Sequence, residues 1–187
     1  WQRRFFPQQV SHIVAISSAV KEKLLGTPPK LPPDLISVQI PGVDSAQHYP
    51  NAVSGAAVRA HMQISAETPL VAMIARFQDV KGHDYFLDAV HLIRRAVPNV
   101  RFAVAGENVF GVSKDEAYKQ RILARVRQDD ALREAVTFLG FWGDSREVIA
   151  AADVMVCSSW FESLSMVALE SMAMARPIVS TRVGGPA

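Results

Sequence analysis

Val154-Met155-Val156-Cys157-Ser158-Ser159-Trp160-Phe161-Glu162-Ser163-Leu164-Ser165-Met166-Val167-Ala168-Leu169-Glu170-Ser171-Met172-Ala173 is the stretch from which the rest of the chain can be read. Its first four residues are an apolar run of strand length. A short turn carrying Glu162 follows. From Met166 to Ala175 every residue except Glu170 and Ser171 is Ala, Val, Leu or Met, which predicts a helix buried on most sides. A carboxylate in such a helix is costly unless something binds it. Seven residues separate it from Glu162. Buried strand, turn and buried helix make the repeating unit of a parallel sheet, and ligands bind at the turns that follow its strands.

The same alternation extends upstream and downstream. Leu70-Val71-Ala72-Met73-Ile74-Ala75 is an apolar run ended by Arg76; residues 100–105 form a second, closed by Gly106; Val136-Thr137-Phe138-Leu139 a third, closed by Gly140. Pro177-Ile178-Val179-Ser180-Thr181 is the last, leading to Val183-Gly184-Gly185. Between them lie helical spacings. Phe86, Ala89, Val90, Ile93 and Val97 share one face, stopped by Pro98. Residues 115–128 read as a polar helix with a stripe of Tyr118, Ile122 and Val126. Asp144 or Ser145 caps a short helix around Val148 and Ile149. Strands alternating with helices predict an α/β, doubly wound, Rossmann-like parallel sheet with helices on both faces. Strands without strict alternation agree with burial on both sides. Right-handed crossovers bring Arg76, Gly106, Gly140, Glu162 and the loop at 183–185 to one edge.

The first 40 residues differ. Residues 10–16 and then Ser17-Ser18-Ala19-Val20 read as a strand, a serine cap and a helix, followed by Pro28, Pro29, Pro32 and Pro33. The expected division is a domain tail and connector at 1–40 and a second domain at 41–187, with a short helix near residues 56–62. The start at Trp1 and the length of 187 residues suit a piece of a longer protein, clipped at both ends.

Composition narrows the classes. The chain is 49% hydrophobic and 20% charged, an ordinary globular balance. Residues 1–35 hold five cations (Arg3, Arg4, Lys21, Lys23, Lys30) against Glu22 and Asp34, so the remainder of this +2 chain is one unit negative. No basic face for nucleic acid stands out. Cys157 is the single cysteine, which excludes an internal disulfide and fits a cytoplasmic setting. No apolar run is long enough to span a bilayer. His12, His48, His61, His83 and His91 are scattered, with no metal spacing.

Arg76 and Lys81 both belong at the ligand edge, Lys81 at the start of the next helix. Two cations there can hold adjacent phosphates, helped by the partial positive charge of a helix N-terminus. Taken alone, either is as readily a surface cation. The backbone N–H groups of Ser165, Met166 and Val167 open the last helix without intrahelical partners and suit a phosphate; Ser165 also suits an ordinary N-cap. Glu170 is either a ligand-binding carboxylate or the partner of a cation such as Arg182.

Arg76-x4-Lys81-Gly82 followed by Glu162-x7-Glu170 resembles the retaining nucleotide-sugar glycosyltransferases of the two-domain GT-B fold. It is closest to the large group 1 family that includes glycogen synthase, sucrose-phosphate synthase and many bacterial mannosyl- and glucosyltransferases. Pro41-Gly42-Val43-Asp44, Val104-Ala105-Gly106, Phe138-Leu139-Gly140, Pro177-Ile178-Val179 and Val183-Gly184-Gly185-Pro186 occur in that family's order, so the likeness covers residues 10–187. The resemblance implies the donor-binding half of a GT-B enzyme that transfers a sugar from a UDP- or GDP-sugar with retention. It assigns the catalytic group to Arg76, Lys81 and Glu162. Arg76 and Lys81 would neutralise the leaving diphosphate in place of a metal, and Glu162 would face the donor sugar. Glu170 would bind the ribose hydroxyls. Ser163, Leu164 and the amides at Ser165, Met166 and Val167 would meet phosphate or sugar, with Gly106 beside them. Phe141 and Trp142 would flank the base, where simple packing is the plainer reading. No cofactor or metal is implied.

The resemblance also implies an acceptor (sugar, lipid or other) bound by an amino-terminal domain. That domain would likewise mediate any association with the inner membrane face, and this half alone would not transfer sugar. Two departures stand out. The family's Glu-Gly-Phe-Gly is here Glu162-Ser163-Leu164-Ser165, and its glycine before the arginine is Ala75. Rival readings are a non-catalytic nucleotide-binding or interaction module, and a phosphorylase or epimerase of the same fold. A phosphorylase using pyridoxal phosphate needs a Schiff-base lysine that the late glycine-rich region lacks.

Overall fold

Apolar runs of three to five residues that alternate between two faces build the centre of this molecule. The computed structural model describes residues 10–108 and 113–184. The main sheet contains β3 (Leu70–Ile74), β4 (Arg101–Ala105), β5 (Val136–Gly140), β6 (Val154–Cys157) and β7 (Ile178–Ser180), in the order β5-β4-β3-β6-β7. Every adjacent pair is parallel, with Leu70 opposite Arg101, Val71 opposite Val154 and Met155 opposite Ile178. Val71, Met73, Phe102 and Val104 face one side; Leu70, Ala72, Ala103 and Ala105 face the other. This period of two, with both faces buried, is why the strands read as continuous apolar runs.

Helices cover both faces. On the first, α3 (His83–Ala96), α4 (Ser113–Gln128) and α5 (Asp130–Ala135) supply Phe86, Leu87, Val90, Tyr118, Ile122, Val126 and Leu132 to the core. On the second, α2 (Ala56–His61) and α6 (Ser145–Ala151) supply Val58, Val148, Ile149 and Ala151. Each such side chain contributes roughly 1.5–3 kcal/mol when fully buried. Asp144, not Ser145, caps α6, its side chain accepting from the Arg146 N–H. The basic residues of α4 are matched by acids on α3: Arg121 pairs with Asp84 at 2.6 Å and Arg125 with Asp84 and Asp88. Among the described residues no helix is long and apolar enough to cross a membrane.

The last helix, α7 (Met166–Ala173), corrects the expectation of burial on most sides. It buries only Ala168 and Ser171, while Met172 is 57% exposed. α7 packs on β6 and β7, and among the described residues β7 is the edge strand, its Val179 exposed. Two further elements were not legible in the chain. A single residue, the cap Asp129, separates α5 from α4, and β2 (Ile36–Val38) lies in the stretch read as connector. β2 pairs in parallel with β1 (Ile13–Ala15), and α1 (Ser18–Gly26), capped by Ser17, packs on both around Ala15, Leu31 and Ile36.

Candidate functional site

The chain passes from β3 outward to β4 and β5, then returns to place β6 on the other side of β3. Turns following β3 and β6 therefore diverge, and the crevice between them is where open parallel sheets bind ligands. The turn after β3 carries Arg76 and runs through a short 3-10 turn, Asp79–Lys81, into α3. The turn after β6 carries Glu162 and runs into α7. The two turns meet. Lys81 Nζ donates to Glu162 Oε2 over 2.7 Å, with the side chains 22% and 12% exposed. Ser159 Oγ lies 3.2 Å from the same oxygen.

Glycine permits this approach at two points. Gly82 has φ +70°, and a Cβ there would sit 2.0 Å from the Ser158 carbonyl oxygen. Gly184 has φ +59°, and a Cβ there would sit 1.5 Å from the Glu162 carbonyl oxygen. Both positions need a left-handed conformation and an absent side chain. Gly185 and Pro186, the rest of that glycine loop, lie outside the described residues.

Two hollows open at the crevice. One, of about 230 Å³, lies between the β3 and β6 turns and is lined by Ile74, Ala75, Lys81, Glu162 and the start of α7 from Leu164 to Val167. The other, of about 340 Å³, lies over β3, β4 and the β5 turn and is lined by Ile74, Ala75, Arg76, Lys81, Gly106, Glu107, Phe141 and Trp142. They share Ile74, Ala75 and Lys81. Of the residues singled out in the sequence, Ser163 and Glu170 line neither.

Charges around the crevice differ in how they are satisfied. Arg76 is exposed and makes no ion pair among the described residues. Glu107 pairs with Lys119, and that contact together with the Asn108 N–H holds its carboxyl below the ordinary range. Glu170 is half-buried, and among the described residues neither a cation nor a hydrogen-bond donor reaches it. Burial pushes its carboxyl up, with the charge of nearby His48 opposing. Arg182 is exposed and unpaired with it, so a structural ion pair does not account for this carboxylate. Ser165 does cap α7, accepting from the Ala168 N–H at 3.2 Å, and the N–H groups of Ser165, Met166 and Val167 find no acceptor among the described residues. Cap and open helix start coexist.

The two aromatic residues after β5 are unlike. Trp142 is fixed: its indole N–H donates to Glu147 Oε2 at 2.7 Å, and its ring meets His61 edge-on at 5.5 Å. Phe141 is 75% exposed. Beneath the Lys81 turn His83 is buried, stacked on Phe77 at 4.8 Å, with neither ring nitrogen paired. Burial, assisted by the charge of Lys81 and opposed by that of Asp84, pushes its pKa down to about 4. Ser158 and Ser159, both buried, were not singled out in the sequence; a serine pair ending a buried strand was the available signal. Among the described residues no group of three His, Cys, Asp or Glu could hold a metal.

The chain is similar to known proteins. The family described as "Glycosyl transferases group 1" matches residues 68–187. The chain is 30% identical to the alpha-maltose-1-phosphate synthase of Mycolicibacterium smegmatis, over 99% of this chain and 47% of that protein. It is 32% identical to the D-inositol 3-phosphate glycosyltransferase of Saccharomonospora viridis, over 82% of this chain and 36% of that one. It thus spans less than half the length of these relatives. Its fold is similar to that of Anabaena HepE, solved in complex with UDP and glucose, with a TM-score of 0.80 at 21% identity over 96% of this chain and 46% of that one. The match runs from the start of β3 through the crevice to the glycine loop, and on it the chain belongs to the group 1 glycosyl transferases, as the Rossmann-like half of their GT-B fold.

Proposed function

We propose that this chain is the donor-binding half of a retaining hexosyltransferase, with residues 41–187 as the donor domain and residues 1–40 as the tail of an acceptor-binding domain. The observation that carries the reading is the meeting of Lys81 and Glu162 at the β3/β6 crevice, with Arg76, which has no ion-pair partner among the described residues, in the adjoining hollow. A nucleoside diphosphate would lie across Arg76, Lys81 and the open amides of α7. As the sugar–oxygen bond breaks, charge builds on the leaving phosphate, and fixed cations stabilise that charge without metal. Glu162 would face the sugar, and Glu170 the ribose. The hollow beside exposed Phe141 would take the base. HepE, solved with UDP and glucose, supports a nucleotide-sugar ligand. The acceptor would come from the other half, in the cytoplasm or at the inner membrane face, so the donor half by itself should transfer nothing.

The test uses the full-length protein with UDP-glucose, ADP-glucose and GDP-mannose. Release of nucleoside diphosphate should persist in EDTA and fall at least a hundredfold in Arg76→Ala. The anomeric configuration of the product, read by NMR, should match that of the donor. Inverted product, or turnover indifferent to Arg76, sinks the reading.

A further inference from the structure

The segment Ser158-Ser159-Trp160 does more than connect β6 to Glu162. It binds the backbone of the Lys81 turn at four consecutive carbonyls. The Trp160 indole N–H donates to Asp79 O at 2.9 Å, and the Trp160 backbone N–H to Val80 O at 3.0 Å. Ser158 Oγ lies 3.1 Å from Lys81 O and 2.9 Å from Gly82 O, its single hydrogen shared between the two carbonyls. The absent side chain at Gly82 makes room for the same contact. Ser159, 2% exposed, turns its hydroxyl the other way, onto Glu162 Oε2. The Ser159 carbonyl is itself tied to Thr181 Oγ1, beyond β7. Lys81 and Glu162 are 81 positions apart in the chain, yet one three-residue segment holds both.

We infer that Ser158, Ser159 and Trp160 are positioning residues, a clamp that fixes the phosphate-facing cation relative to the sugar-facing carboxylate. The inference rests on the donor-site reading. Its sharpest consequence concerns the carboxylate. Lys81 and Ser159 both occupy Oε2, while Oε1 accepts nothing among the described residues. Ser159 therefore sets the rotation that leaves Oε1 to meet the donor sugar. A clamp of this kind acts on alignment, where a displacement of about 1 Å can cost a hundredfold in rate.

The two arms of the clamp touch different partners, so their loss should read differently. In the full-length protein, Ser159→Ala is expected to lower kcat for donor hydrolysis at least tenfold. Its KM and its affinity for the nucleoside diphosphate should stay within about twofold. Trp160→Phe keeps a ring but removes the N–H to Asp79. It is expected to weaken nucleoside diphosphate binding about fivefold, with a smaller change in kcat. Thermal unfolding of each variant is measured alongside, with the donor among UDP-glucose, ADP-glucose and GDP-mannose that the wild type hydrolyses fastest. A Ser159→Ala enzyme with wild-type kcat overturns the inference. So do parallel losses of kcat, binding and stability in both variants, the signature of a purely structural segment. Wild-type protein that neither binds a nucleoside diphosphate nor hydrolyses a donor refutes the donor-site reading itself, a separate result.

Discussion

Lys81 Nζ and Glu162 Oε2 are 2.7 Å apart, so with the crevice open the carboxylate sits where an anionic ligand would seek its cation. A phosphate bound as proposed would have to compete with Glu162 for Lys81. Glu162→Gln keeps the volume and an acceptor for Ser159 but releases Lys81 and removes a repelling charge. It is expected to tighten nucleoside diphosphate binding by about 1–2 kcal/mol, five- to thirtyfold, while abolishing transfer. Lys81→Ala should do the reverse, weakening the diphosphate by roughly 1.5–3 kcal/mol and the bare nucleoside far less. Calorimetric titration of both ligands against both variants decides it; equal losses for nucleoside and diphosphate would move Lys81 away from the phosphates.

Glu170→Gln is expected to leave thermal unfolding near wild type, since no cation is stranded. If Glu170 binds the ribose as proposed, the substitution should also remove a preference for a ribonucleotide over its 2′,3′-dideoxy form, worth roughly 1.5–3 kcal/mol for one charge-assisted bond. The pH dependence has a definite sign. Burial raises this carboxyl above 4.5, and a ligand donating to it favours the ionised form. Binding should therefore release a proton at pH values below the raised pKa of the free protein, with affinity increasing as pH rises toward it. In Glu170→Gln that linkage should vanish, and a large stability loss instead would return Glu170 to a structural role.

Phe141 and Trp142 should separate function from packing. Phe141→Ala should weaken nucleotide binding by about 1–3 kcal/mol, the worth of one base–aromatic contact, with little change in stability. Trp142→Ala removes the contacts to Glu147 and His61 and should lower stability by at least about 2 kcal/mol. Chemical denaturation and nucleotide titration of the two variants make the comparison.

His83 predicts an acid-sensitive fold. Its native pKa of about 4 lies below the ordinary 6.5, so the unfolded chain binds the extra proton. The stabilisation is complete above 6.5 and is lost as pH falls from there to about 4, amounting to roughly 3 kcal/mol over that window. Urea unfolding at pH 7 and pH 5 should show the loss, and His83→Leu should show a smaller one. An unchanged slope in the variant would assign the acid sensitivity elsewhere.

The sequence made the main sheet readable because its central strands are buried on both sides and the apolar runs end in Arg76, Gly106, Gly140 or a serine turn. β2 was not readable: of Ile36, Ser37 and Val38 only Ile36 is buried, so three residues among prolines show no pattern. α5 escaped because its six residues begin directly after α4, without a glycine or proline between them. The burial of α7 was overestimated because composition cannot say which neighbours a helix has. Charged site residues stood out against apolar runs, but Ser158 and Ser159 did not. Their partners are Lys81, Gly82 and Glu162, and the long-range contacts depend on how the β3 and β6 turns dock rather than on local spacing.

The two hollows meet over only Ile74, Ala75 and Lys81, and otherwise draw their walls from different loops. Substitutions in the loop after β5 and in the turn after β6 fall on separate walls, and mutations without shared partners add nearly independently. If the hollows take base and sugar as proposed, the two preferences can drift apart in descent, each loop exchanged without retuning the other. Ala75 is one of the three residues that line both hollows, so a larger side chain there would narrow both at once.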